Sequence, residues 1–202
     1  MDTGGIHCGQ VKYHGLYCYQ IEYRGWNDMR SIGSIGKEEI RDLLGKGWLT
    51  HDGMWFFSVC KELGVDKANI LNKAAIKAMA PFEAQRLKQV IGLGNEQLAT
   101  VEDIRDFLKR GMELILPVSV FNKSHFSIQS KNVLHWEWEK NECFAFKGMS
   151  RIGVIDKYEC GVMYRIECWF ELLGLKFTAN PKLDRCQMYE KGNCSGDYEF
   201  HF

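Results

Sequence analysis

The sequence has no surplus of either charge and no apolar run long enough to cross a membrane. Lysine plus arginine and aspartate plus glutamate each total 26, so the formal net charge is zero. Because nucleic-acid binding needs a basic surplus or a basic stripe, we expect no nucleic-acid partner. A membrane span needs about 20 apolar residues, and no run approaches that length, so we expect no membrane partner.

Proline is also scarce, and the remaining composition is that of a globular protein. There are 3 prolines in 202 residues, with 46% hydrophobic and 13% aromatic residues, which excludes a large disordered part. The chain begins without the charged and apolar regions of a signal peptide. We therefore expect a cytoplasmic protein, in which the cysteines, of which there are 8, are reduced thiols or metal ligands.

The pattern divides the chain into three parts. Residues 1–34 are rich in glycine and tyrosine without a helical or strand period, which predicts a peripheral N-terminal arm, and Met29 is an alternative start to Met1. Residues 35–117 are predicted to be helical. Residues 118–202 are predicted to be an α+β part that binds a ligand or a metal and forms one compact unit with the helical part.

The helical part begins with two predicted helices separated by glycines. The first runs from 37 to 44, and Gly45 and Gly47 are predicted to end it. The second is predicted to begin with Thr50 as its N-cap and to end at Gly64. We therefore expect a short helix, a glycine-containing turn and a longer helix.

Two more helices complete this part. Asp66 is predicted to cap the third, and Pro81 within it predicts a kink or a break into two helices. The fourth is predicted to begin at Thr100 and to end at Pro117, with an apolar stripe along one side. Together the four helices predict a helical layer.

Four residues of these helices are candidates for a site. His51 and Trp55 lie one turn apart and are predicted to line a pocket, and Asn72 of the third helix is a candidate to reach a ligand. Asp52 is a candidate acid or base beside His51. An equally simple interpretation is that Asp52 stabilises the start of its helix through the dipole and that Trp55 is core.

After Pro117 the period becomes that of strands. Predicted strands occupy 118–121, 126–128 and 133–139, and in the last of these three apolar residues alternate with His135, Glu137 and Glu139. His135 and Glu137 are candidate ligands or an acid–base pair, although a solvated polar face produces the same alternation.

The last third of the chain holds five of the eight cysteines. Cys143 lies in a short predicted strand, and a long helix is predicted from about 157 to 173 with Cys160 in its first turn. Strands are predicted again at 175–178, 184–189 and 196–202. We therefore predict an α+β fold in which an N-terminal helical layer packs on a C-terminal antiparallel sheet, with one long cysteine-bearing helix.

The cysteines also predict a zinc site. If 186–194 folds as a hairpin, Cys186 and Cys194 lie opposite each other with Cβ atoms about 4.5 to 5.5 Å apart, which suits shared zinc. Cys160 is then the third ligand, and Cys143, Asp184 or water is the fourth. Buried core cysteines and a reactive thiol remain alternative interpretations.

A resemblance rests on the cysteine-bearing helix, the terminal cysteine pair and the ending Gly196-Asp197-Tyr-Glu-Phe200-His-Phe202. This arrangement resembles the four-vinyl-reductase type of small-molecule-binding domain and the L-2-amino-thiazoline-4-carboxylic acid hydrolase-like proteins. The first resemblance implies zinc held by Cys160, Cys186 and Cys194, with a glutamate three residues before Cys186. That place is Leu183 here, which has no donor atom.

Two functions follow from the resemblance, and a third remains open. The first is a sensor-like protein that binds a small molecule and forms a homodimer. The second is a hydrolase in which a metal-activated water or a cysteine thiolate attacks a small C–N bond substrate while His51, Asp52 or Glu137 moves protons. The third is a protein-interaction module without a pocket. The candidate pocket residues are Trp55, Asn72, Trp136, Phe144, Tyr164 and Trp169.

Overall fold

The computed structural model describes residues 29–94 and 98–202. Contacts divide the chain into two units, Met1–Ile35 and Gly36–Phe202. In the first unit the described element is one 3-10 turn, Ile32–Ser34. Most of the predicted N-terminal arm, including Met1, lies outside the described residues.

The second unit is an α+β fold, as predicted. Its elements follow in the order α1 (Lys37–Leu63), α2 (Val65–Ile91), α3 (Val101–Ile115), α4 (Val118–Phe121), β1 (Ser124–Ser130), β2 (Val133–Trp138), α5 (Phe144–Arg151), α6 (Gly161–Leu172), β3 (Phe177–Asn180), α7 (Gln187–Lys191) and β4 (Cys194–Phe200). Within the described ranges, none of the helices combines the length and the apolar character that a bilayer crossing requires.

The strands form one antiparallel sheet in the order β1-β2-β4-β3. Its inner face is apolar because alternate residues of β2 and β4 point to the same side, and Trp136 and Tyr198 are among the fully buried side chains. Helix α6 covers this face, with the Phe170 ring 5.1 Å from the rings of both Tyr198 and Phe200. Helix α2 packs in turn on α6 and α1.

The predicted break at Gly45 and Gly47 is wrong, because α1 runs without interruption from Lys37 to Leu63. A glycine inside a helix costs about 1 kcal/mol relative to alanine. Gly45 nevertheless packs against Pro117, where a Cβ atom would lie 2.9 Å from Pro117 Cδ. Tertiary packing thus offsets the weak helix propensity, and Thr50 lies inside the helix and caps nothing.

The second and third helices follow the predicted boundaries more closely. Gly64, with a φ angle of 82°, separates α1 from α2, but Asp66 lies in the first turn of α2 and is not its cap. Of the two outcomes predicted at Pro81, a kink or a break, the break does not occur, since α2 continues to Ile91. Thr100 caps α3 as predicted, with its hydroxyl accepting from the Asp103 N–H at 3.2 Å.

Three segments predicted to be strands contain short helices: α4 at 118–121, α5 in place of the strand around Cys143, and α7, which overlaps the end of the predicted strand 184–189 and runs on to Lys191. Short apolar runs have no period that separates a strand from a buried helix, so the sequence does not distinguish the two. Helix α6 also begins later than predicted, at Gly161, with Cys160 as its N-cap.

The predicted hairpin between Cys186 and Cys194 is wrong as well. Helix α7 occupies most of this segment, and Gly192, with a φ angle of 75°, is its C-cap. Cys194 pairs with Trp138 of β2 in the sheet and does not face Cys186 across a ladder. Any proximity of the two cysteines therefore has to come from tertiary packing.

Candidate functional site

Four buried cysteines come together beneath the sheet. Cys143, Cys160, Cys186 and Cys194 are 6%, 9%, 7% and 7% exposed, and all four are free thiols. The other three cysteines raise the pKa of Cys194, and Cys160 and Cys186 raise that of Cys143, in both cases after the larger effect of burial. The fold thus brings together the four cysteines considered as zinc ligands, although the hairpin that was expected to do so does not exist.

Burial dominates the chemistry of these thiols. Loss of solvent raises the pKa of Cys143 to about 12 and that of Cys160 to about 11, and the neighbouring cysteines contribute to both increases. The pKa values of Cys186 and Cys194 are raised for the same reason. Without a bound cation, all four side chains are therefore neutral thiols at pH 7.

Three of the four cysteines directly precede a helix. Cys143, Cys160 and Cys186 are the N-cap residues of α5, α6 and α7. Amides of the first turn, such as Met163 N–H beside Cys160, lower the thiol pKa in part, but they do not form capping hydrogen bonds with the sulfur atoms. Helix N-termini favour a thiolate, so this arrangement suits anionic sulfur once a cation compensates for desolvation.

The spacing of the cluster differs from that of a coordination shell. In residues 29–94 and 98–202, no set of three or more His, Cys, Asp or Glu side chains stands at metal-binding distances. The donor chemistry does fit zinc, which takes four cysteine sulfurs in closed structural sites. The sulfur atoms are thus neighbours that must approach each other before they share an ion.

A carboxylate near the cluster was missed by the sequence interpretation. Glu167 is half-buried, and its charge raises the pKa of Cys160, although desolvation is the main cause of that increase. The predicted alternative, Asp184, has a side chain that is 76% exposed. A sequence signal for Glu167 existed, because it follows Cys160 by two helical turns and therefore lies on the same side of α6.

A second site lies beside the first turns of α6. A cavity of about 130 Å³ opens among α1, α2, α3 and α6, with contributions from Phe144 and Tyr158. Its walls are mostly apolar and include Met79, Met112 and Trp169. The polar side chains in the lining are Asp52, Asn72, Tyr158 and Arg165.

The charge of Arg165 is already compensated. Its Nε donates to Glu83 Oε2 at 2.7 Å, a second guanidinium nitrogen contacts the other carboxylate oxygen, and the Trp169 Nε1–H donates to Glu83 Oε2 at 2.9 Å. The guanidinium also stacks on the Trp48 ring, 4.4 Å from its centroid. Because the Arg165 and Glu83 side chains are only 12% and 13% exposed, this pair forms a rigid, neutral part of the wall.

Asp52 lies at the mouth of the cavity. It is exposed on α1, and no side chain or amide of the described residues forms a hydrogen bond with it. Partial desolvation raises the pKa of its carboxyl group, while the charges of Arg165 and then His51 oppose the increase. His51 is exposed and does not line the cavity.

Two buried asparagines on α2 differ in their partners. Asn69 is 2% exposed, its Nδ2 donates to the Lys157 carbonyl at 2.8 Å, and its Oδ1 accepts from the Glu159 N–H at 3.2 Å. Asn72, one turn further on, is 8% exposed and lines the cavity. Within the described part of the chain, its carboxamide has no hydrogen-bond partner.

The candidate pocket residues divide into two groups. Asn72, Phe144 and Trp169 line the cavity. The other three lie outside its lining: Trp136 is buried in the sheet, Tyr164 lies under the Lys73 ammonium group at 5.6 Å, and Trp55 is 38% exposed on α1. The sequence interpretation missed Arg165, for which the signal was a single arginine in an otherwise apolar stretch of α6.

The candidate pair on β2 lies far from this arrangement. His135 and Glu137 are on the outer face of the sheet. His135 Nδ1 lies 2.7 Å from Asp197 Oδ1, and Glu137 lies opposite Ser195 in the register of β2 and β4. Neither residue lines the cavity. Their surroundings are those of a solvated polar face of the sheet, which was the alternative interpretation of the alternation in this strand.

A sequence-family model described as a family of unknown function, DUF6125, matches residues 34–161, which is more than half of the chain. No curated protein and no solved structure matches the chain. The matched segment contains Asp52, Asn72, Cys143 and Cys160 but ends before Cys186.

Proposed function

We propose that this chain, which belongs to the DUF6125 family of unknown function, is a sensor-like protein that binds a small molecule in the cavity beside α6. The cavity itself carries the proposal, because ligand sites are concave and mostly apolar with a few placed polar groups. An apolar cavity of about 150 Å³ in another protein holds one benzene molecule. The cavity volume of about 130 Å³ therefore suits a single ring, with room for substituents toward the mouth.

Binding without chemistry explains the lining better than hydrolysis does. A thiol- or metal-dependent hydrolase needs its nucleophile next to the substrate, together with a base. Among the described residues, the cavity lining includes the Asp52 carboxyl group but neither a cysteine nor a histidine. An interaction module, the third function considered, has no use for an internal cavity.

The binding proposal is tested by blocking the mouth of the cavity. Ala75 lines the cavity, whereas Ala78 is exposed on the same helix outside the lining, so Ala75→Trp and Ala78→Trp form a matched pair. We expect NMR titration with a panel of single-ring molecules, including toluene and 2-pyridone, to detect binding in wild type and Ala78→Trp. Ala75→Trp should abolish it. Binding that survives Ala75→Trp, or no binding by any member of the panel, would contradict the proposal.

We further propose that Cys143, Cys160, Cys186 and Cys194 hold a structural zinc ion. Support comes from four buried thiols that are mutual neighbours, three of them at helix N-termini. Zinc would tie three helix starts to the first residue of β4, and a four-cysteine set is closed, without a position for a reactive water. The side chains have to turn toward one another for this, since their present spacing is too wide.

Elemental analysis of Cys143→Ser and Cys168→Ser tests the zinc proposal. Cys168 is 4% exposed on α6 but lies outside the four-cysteine cluster, so its substitution is a control for burial. We expect stoichiometric zinc in wild type and Cys168→Ser and a loss of zinc in Cys143→Ser. Reduced wild-type protein without zinc would refute the site, and full zinc in Cys143→Ser would remove Cys143 from it.

Two further parts of the proposal concern location and assembly. We place the protein in the cytoplasm, where thiols remain reduced. We also propose a homodimer that uses the outer face of α1, because Leu43 and Leu44 are 71% and 67% exposed there. Light scattering should give a dimer mass for wild type and a monomer mass for Leu44→Lys. A monomeric wild type would exclude the dimer.

A further inference from the structure

We infer that the ligand is an uncharged single-ring molecule with a lactam-type edge, whose N–H and adjacent carbonyl pair with the Asn72 carboxamide. This inference rests on the proposed function, since it describes the occupant of the same cavity.

The first argument is the missing partner of Asn72. Buried polar side chains almost always have hydrogen-bond partners. Asn69 obeys this rule with two bonds to the backbone at Lys157 and Glu159, whereas Asn72 is 8% exposed, lines the cavity and has none within the described residues. Its carboxamide atoms are not sealed off by protein, so they face the cavity, where a ligand can take the place of water as donor and acceptor.

The second argument concerns the space around Asn72. A Cβ atom at Gly161 would lie 2.8 Å from Asn72 Nδ2 and 3.3 Å from the Tyr158 hydroxyl oxygen. The absence of a side chain at Gly161 therefore lets both polar groups stand at the same end of the cavity. Any larger residue at this position would displace the carboxamide.

Tyr158 supplies a further donor at that end. Its hydroxyl oxygen accepts from the Gly161 N–H at 3.0 Å, and its own hydrogen has no acceptor among the described residues. A ligand carbonyl near Asn72 can therefore accept from the Tyr158 hydroxyl as well.

The third argument is the charge of the site. Glu83 compensates Arg165, so the cation in the wall is not free to bind an anionic ligand. Asp52 at the mouth adds a carboxyl group to the lining, which does not favour anions. The inner end, at Asn72 and Tyr158, presents dipoles only, and a neutral ligand suits it best.

The shape of the polar edge follows from the carboxamide. An asparagine side chain presents one carbonyl acceptor and one N–H₂ donor side by side. A ligand edge with an N–H next to a carbonyl meets both at once, whereas a carboxylate offers only acceptors and a hydrocarbon offers neither. Cyclic amides such as 2-pyridone have this edge on a ring of suitable size.

The test compares three probes on the isotope-labelled full chain by NMR: 2-pyridone, toluene, which has the same number of heavy atoms, and benzoate. We expect 2-pyridone to bind at least about tenfold more tightly than the other two, since each lacks a matching donor or acceptor. It should shift the Gly161 amide and the Asn72 side-chain N–H₂ signals. Asn72→Leu should weaken 2-pyridone about tenfold while toluene binding remains.

The outcomes distinguish a failure of the proposed ligand class from a failure of the proposed binding cavity. Toluene binding as tightly as 2-pyridone would overturn the lactam-type ligand while leaving the pocket intact. Tightest binding by benzoate would overturn it in favour of an anion. Unchanged 2-pyridone binding in Asn72→Leu would remove Asn72 from the site, and binding of no probe would overturn the pocket as well. If Asn72→Leu does not fold, the wild-type comparison of the three probes decides alone.

Discussion

The cysteine cluster and the cavity meet at two consecutive residues, Cys160 and Gly161, but the two sites differ in their polar groups and in their access to solvent. The four thiols are buried with one another as neighbours and face no opening. The cavity opens to solvent near Asp52 and holds a buried carboxamide without a partner. A closed set of like donors suits a permanent structural ion, whereas an open site with one unpaired polar group suits a ligand that comes and goes.

The comparison also shows how α6 serves both sites. Its N-cap Cys160 belongs to the cluster, and Gly161 and Arg165 line the cavity. Anything that fixes the start of α6 therefore fixes one wall of the cavity.

The largest effect should come from removing the metal from the closed site. Zinc held at 1,000 times its dissociation constant stabilises a folded protein by about 4.1 kcal/mol. We therefore expect a zinc chelator to lower the free energy of unfolding of the wild type by roughly 4 kcal/mol in urea titrations. The chelator should not affect Cys143→Ser. Equal curves with and without chelator would leave the cluster as packed thiols.

The next largest effect concerns the wall of the open site. Glu83→Gln leaves the Arg165 guanidinium buried without a counter-charge, which should destabilise the fold by about 3 kcal/mol. Glu142→Gln is the control, because its pair with Lys147 is exposed and should contribute less than about 0.5 kcal/mol. The measurement is urea unfolding at pH 7. Similar values for the two variants would show that the wall pair is solvated.

The two asparagines of α2 test the difference between a structural and a ligand-facing amide. Asn69→Ala removes the partners of the Lys157 carbonyl and the Glu159 N–H, which should cost about 2 kcal/mol. Asn72→Ala removes no observed hydrogen bond, so its cost should be smaller than that of Asn69→Ala, at about 1 kcal/mol or less. Thermal unfolding of both variants checks this ranking. A large loss in Asn72→Ala alone would mean that Asn72 has a structural role.

The smallest effect is a pH dependence on the cluster side. Burial raises the pKa of Glu167, and the hydrogen bond from the Tyr198 hydroxyl opposes that increase in part. Because the folded-state pKa exceeds the unfolded-state value, stability is lost as pH rises through the folded-state pKa and is regained below the unfolded-state pKa.

In metal-free protein, Glu167→Gln should therefore raise stability by about 0.5 kcal/mol at pH 7 and by less near pH 4. Urea unfolding at both pH values measures the difference. A loss of zinc affinity in the same variant would assign Glu167 to the metal site in place of Cys143.

Much of the fold was predictable where the signal is local. Thr100 marks the start of α3 because a hydroxyl and the Asp103 carboxylate satisfy the first amides of the helix within one turn. The alternation in β2 is predictable for a similar reason, since one face of the sheet is buried and the other is not.

Other elements depended on distant contacts. Gly45 lies inside α1 at a point where Pro117, far along the chain, packs against its backbone and leaves no room for a Cβ atom. The segments at 118–121 and around Cys143 are too short for a period to distinguish strand from helix, so packing decided their conformation.

The same division holds for the sites. The sequence alone determined which cysteines are candidates and that an asparagine lies on the third predicted helix. Only the tertiary structure decided that the cysteines are gathered by three helix starts and a strand. It also decided that Asn69 meets the backbone at Lys157 while Asn72 meets a cavity, because a side chain's partners come from segments far away in the chain.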